Sequence, residues 1–128
     1  MEVDFEGLKK ELRSVDLEGI SVVPYRERIF WVDSMSFPDG KPAQWFESTG
    51  YSGADIYLWG GLREDFKRPF ILHEIVEADL VLYQKVNKKT AHEEAKKFDR
   101  KYAELMLSEE EFSDYEKARK GLENAFRD

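Results

Sequence analysis

A chain of 128 residues, 41% hydrophobic and 14% aromatic, is one domain by length, 1–128, and is large enough to bury a single modest core. Its net charge of −7 argues against a nucleic-acid partner, because affinity there comes largely from neutralised phosphates, and no run of about 18 apolar residues suggests a membrane-crossing helix. The N-terminus, M-E-V-D-F-E-G-L-K-K, lacks the basic and apolar regions of a signal peptide, and the absence of cysteine fits a reducing compartment, so a cytoplasmic location is expected.

Phe5, Leu8, Leu12 and Val15 recur at helical spacing and predict a short amphipathic helix over Asp4–Val15. Ile20–Tyr25 and Arg28–Val32 are β-branched and aromatic runs that read as strands, with Pro24 pushing the first towards a sheet edge. Turn formers crowd Asp33–Gly53, together with Phe37, Trp45, Phe46 and Tyr51, and Gln44–Glu47 is a possible further strand. Ala54–Trp59 alternates and stops at Gly60-Gly61. A helix follows, with Pro69 expected in its first turn and its start therefore near Arg68. Thr90 with Glu93, and Ser108 with Glu111, have the capping-box pattern and predict two more helices. Ala91, Ala95, Phe98, Tyr102 and Leu105 give the first of these its apolar stripe. Phe112, Tyr115, Ala118, Leu122 and Phe126 do the same for the last. The basic clusters around Lys85–Lys89 and Lys96–Lys101 lie among acids and read as solvated helical faces. The expected class is α+β: a small, mostly antiparallel sheet of three to four strands packed on a bundle of about four helices.

Pro69–Tyr83, P-F-I-L-H-E-I-V-E-A-D-L-V-L-Y, is apolar on almost every side of a helix yet holds His73, Glu74, Glu77 and Asp79. A helix apolar all round is a buried helix, and buried ionisable groups are costly unless paired or bound to metal. His73 and Glu77, four apart, project from one face. A catalytic zinc takes about three protein ligands and keeps one position open. His73 and Glu77 supply two, and His92, the second of only two histidines, is the choice for the third. Asp99, seven residues beyond His92, is either a ligand itself or a partner that fixes the tautomer of His92. For His92 to reach the metal the site helix must end near Tyr83. Glu74 would stand beside water on the metal as general base. Asp79, on another face, is expected to pair with a Lys, Arg or Tyr. Tyr51, Tyr57, Tyr83 and Arg63 remain undistinguished as substrate contacts. The bland alternative is a hydrogen-bonded polar network without metal.

A strand at Ala54–Trp59, a short connection and a buried helix reading F-I-L-H-E-I-V-E resemble the core of the small zincin metallopeptidases, over roughly Ala54–Asp99. The intracellular peptidases that cleave phage-type repressors are the nearest comparison. The resemblance implies His73 as first ligand, Glu74 as general base and Glu77 at the second ligand position, with the strand before the helix pairing with extended substrate. The chain departs from the family in having Glu77 where the family has histidine, which makes the site more anionic. The expectation is a zincin-like metal-dependent hydrolase of peptide or amide bonds, with zinc or another divalent metal as cofactor and a peptide or protein as substrate. The alternative is a non-catalytic interaction domain on the same scaffold, with the acidic charge and the aromatic loop Phe37–Tyr51 as partner surface.

Overall fold

The computed structural model describes residues 1–35 and 41–125. Phe37 and Phe126 lie outside these. The first helix, α1 (Phe5–Ser14), starts where Asp4 accepts a hydrogen bond from the Gly7 amide, and it buries Phe5, Leu8 and Leu12. Four strands follow: β1 (Ser21–Tyr25), β2 (Arg28–Met35), β3 (Ala43–Glu47) and β4 (Gly53–Trp59). The helices α2 (Glu64–Leu82), α3 (Lys88–Met106) and α4 (Glu109–Ala125) complete the described chain. The fold is therefore α+β, with a mixed, mostly antiparallel sheet against a helix bundle, consistent with a small zincin-like fold.

The strand order is β1-β2-β4-β3. β1 and β3 pair antiparallel with their neighbours, and β2 runs parallel to β4. Pro24, which cannot donate to a ladder, sits in the edge strand β1. Alternation sends Val23, Phe30, Val32, Ala54, Ile56 and Leu58 into the core. There they meet Leu8 and Leu12 of α1 and the apolar residues of α2. Two backbone features close the sheet. Arg26 and Glu27 join β1 to β2 with φ of 50° and 67°, the left-handed pair of a type I′ turn, although neither is glycine or asparagine. Gly53 has φ 152°, and a Cβ there would lie 1.7 Å from the Ile29 carbonyl oxygen, so only glycine lets β4 start this close to β2.

The site helix begins earlier than its proline suggests. α2 opens at Glu64, which places Pro69 inside the helix and His73 a turn deeper than expected. The extra turn is held by Phe66, buried edge-on against Tyr115 at 5.5 Å, and carries Glu64 and Asp65 where the helix dipole favours acids. Its end is where the argument from His92 required: Leu82 is the last helical residue and Tyr83 the cap. α3 also starts earlier than expected, because Asn87 rather than Thr90 caps it, accepting from the Thr90 amide at 2.9 Å. Before α4, Ser108 and Glu111 form the reciprocal capping box, at 2.9 and 3.1 Å.

Candidate metal centre

Thirteen residues of α2 are buried, so its polar groups face α3 and the sheet rather than water. Early termination of α2 sets the register of the antiparallel pair α2 and α3. Stepping back one turn on α2, from Glu77 to His73, matches two turns forward on α3, from His92 to Asp99. On α3, Glu77 thereby meets His92 and His73 meets Asp99.

Glu77 is the hub. Its Oε2 accepts from His92 Nδ1 at 2.8 Å and lies 3.4 Å from His73 Nε2. Its Oε1 accepts from the indole Nε1 of Trp45, on β3, at 2.9 Å. The two imidazole rings stand edge-on, 4.9 Å apart. One ligand atom each from His73, Glu77 and His92 falls within 4.8 Å of the others, a cluster able to coordinate a divalent metal. His73 and Glu77 are buried, whereas His92 is 46% exposed and leaves the cluster open to solvent on the α3 side.

Behind His73 lies a second layer. Its Nδ1 donates to Asp99 Oδ2 at 2.6 Å, which fixes the tautomer and turns Nε2 towards Glu77. Asp99 thus partners His73, not His92, because seven residues of helix carry it about 10 Å along the axis from His92. Tyr115 donates to Asp99 Oδ1 at 2.7 Å and Arg119 to Oδ2 at 2.9 Å, so both carboxylate oxygens are engaged on the side away from the cluster. Arg119 also donates to the Tyr115 hydroxyl at 3.0 Å and lies 3.9 Å over the ring of Phe70.

Charge is distributed unevenly over these groups. Burial and the Arg119 charge both push the His73 pKa down, but hydrogen bonds to Asp99 and Glu77 prevail and raise it to about 9. Burial opposes ionisation of Glu77, yet the hydrogen bonds from both histidines hold its carboxyl well below the usual range. Glu74, whose Oε2 is 3.8 Å from His73 Nε2, has no such donors. Burial dominates there, against the pull of the His73 charge, and lifts its pKa to about 7.

The other residues singled out in the sequence lie elsewhere. Asp79 is fully buried and paired with Arg26 Nε at 3.1 Å and Gln84 at 2.8 Å. Tyr83 donates to the Gly53 carbonyl at 3.2 Å, Tyr51 bonds Asp55, and Arg63 bridges Asp65 and Asp114. β4, the strand before the site helix, has neighbours on both sides, and the free edge beside Glu77 belongs to β3. Trp45, Tyr115 and Arg119 are the contributors that sequence reasoning missed. Tyr115 was legible only as a core position. Its spacing of four from Arg119, on the inward side of an amphipathic helix, is the one local signal that the pair acts together.

The donor set of two imidazoles and one carboxylate, with Nε2 of His73 turned towards Glu77, fits a divalent metal ion. No helix among the described residues is long and apolar enough to cross a membrane. Comparison of the chain with protein-family models, with curated proteins and with solved structures gives no match.

Proposed function

We propose that the chain is a metal-dependent hydrolase of peptide or amide bonds, with zinc or another divalent ion held by His73, Glu77 and His92 and with Glu74 as general base. The observation that carries the reading is Glu74. Its carboxylate is buried beside the inward nitrogen of His73, is not hydrogen-bonded to either histidine, and has a pKa raised to about 7. A group poised near neutrality both accepts and returns a proton efficiently. A divalent ion bound there would supply Lewis acidity, which acidifies water and polarises a carbonyl. The chain's own residues do the rest. Asp99, backed by Tyr115 and Arg119, orients His73 and keeps its Nδ1 protonated. Trp45 holds one oxygen of Glu77 so that the other faces the histidines. Glu74 takes a proton from water during attack on the carbonyl and passes it to the leaving amine.

The test is Glu74→Gln beside the wild type, with zinc added, against a mixed peptide library read by mass spectrometry. The variant should bind metal as the wild type does and lose turnover. Turnover that persists in Glu74→Gln removes the assignment of Glu74 as base.

A further inference from the structure

Among the described residues, the helices that contact the sheet, α1 and α2, lie on the side of its buried residues, and the other side carries no helix, only Tyr51 packing against Trp31 and Asp55. Ile20, Val22, Ile29, Trp31, Phe46 and Trp59 all follow the outward alternation and expose between 42 and 63% of their surface. In register, Val22, Trp31, Asp55 and Phe46 form one row across the four strands, and Asp33, Tyr57 and Gln44 form the next. Exposed apolar side chains scattered singly need no explanation, but a continuous patch on one face marks an interaction surface.

The charges on this face select the occupant. Asp33 and Asp55 are the only ionisable groups at outward strand positions among the described residues other than Tyr57. No outward strand position holds Lys or Arg. A second copy of the chain would set these carboxylates against their own kind. An anionic lipid surface would be repelled for the same reason. A sugar would need rings laid in one plane, and here Trp31 is tilted 52° to Tyr51 while Phe46 meets Tyr57 edge-on at 61°. We infer that the open face of the sheet docks another protein through a segment that presents Lys or Arg among apolar residues. Its apolar side chains lie over Trp31 and Phe46, and its cations reach Asp33 and Asp55. The site at Glu77 is on the opposite side of the sheet, so this surface is separate from the proposed catalysis.

The probe is a short synthetic peptide alternating Lys and Leu, with a Glu and Leu counterpart of equal length, titrated into the full chain and followed by amide and indole NMR shifts. The Lys peptide should shift Val22, Ile29, Trp31 and Trp59, should weaken several-fold in the Asp33→Asn, Asp55→Asn double variant, and should lose binding when Trp31→Ser and Phe46→Ser are combined. The Glu peptide should not shift these residues. Equal binding of both peptides, shifts confined to other surfaces, or a homodimer that buries this face in sedimentation would each overturn the proposal. Unchanged resonances elsewhere in each variant confirm that the fold is intact.

Discussion

Glu77 and Asp79 are two residues apart on α2, both buried, and neutralised in opposite ways. Asp79 faces Arg26, a cation that never gives up its proton, in the corner where the left-handed β1–β2 turn also ties Arg26 to Glu2 at 2.8 Å. Glu77 faces two histidines and an indole. A proton shared among imidazoles can be replaced by a metal ion, whereas a guanidinium cannot. The buried acid that is locked serves the fold, and the buried acid with exchangeable partners makes a binding site. Helix periodicity separates the two residues by face, and the four-residue spacing from His73 assigns Glu77 to the site and leaves Asp79 to a cation, Arg26.

The sharpest way to break this comparison is to remove each acid's partner. Arg26→Ala leaves Asp79 buried without its cation and is expected to destabilise the fold by about 3 kcal/mol in urea melts, with zinc affinity unchanged. Asp99→Asn exchanges the anchor of His73 for an amide and is expected to lower zinc affinity about 10- to 100-fold in competition titrations, and it also lowers the melting temperature because Arg119 loses its buried counter-charge. If the two variants behave alike, the division between a locked and an exchangeable acid fails.

A pH series sharpens the comparison. His73 has a folded pKa raised from 6.5 to about 9, so it contributes stability that is fully present below pH 6.5 and lost as pH rises through about 9. Glu74, raised from 4.5 to about 7, acts in the same direction over a lower window, from pH 4.5 to about 7. Glu77, depressed, contributes stability above pH 4.5 that is lost only as the solution becomes strongly acidic. Metal requires His73 without its inward proton, so metal affinity should rise over the window in which metal-free stability falls. Thermal melts with and without zinc should therefore diverge from pH 6.5 to 9. Parallel curves would mean that His73 does not exchange a proton for a metal. The smallest effect lies far from the site. Ser108→Ala removes the cap of α4 and should reduce stability by about 1 kcal/mol, leaving zinc affinity unchanged unless Tyr115 and Arg119 move with the helix.

Much of the fold was legible because its signals are local. Apolar periodicity located α1, α3 and α4, alternation located the strands, and the requirement that His92 reach Glu77 placed the end of α2 correctly. The misses have physical causes. Pro69 suggested a helix start that the burial of Phe66 overrode. Asn87 and Thr90 are both good caps, and the sequence does not rank them. The Arg26-Glu27 turn lacks the usual Asn-Gly signature that would have announced it. At the site, the motif exposed His73, Glu74 and Glu77 but not their supports. Trp45 arrives from a strand over thirty residues away, and Tyr115 and Arg119 from a helix with an ordinary amphipathic pattern. Tertiary contacts of that kind leave no mark on local spacing.

The central claim is that His73, Glu77 and His92 exchange a shared proton for a metal ion. Metal analysis of untagged protein after dialysis against zinc at neutral pH tests it most directly, with Glu77→Ala alongside. The account predicts one zinc per wild-type chain and none retained by the variant. Wild-type protein that holds no zinc, with His92 still bonded to Glu77, would contradict it.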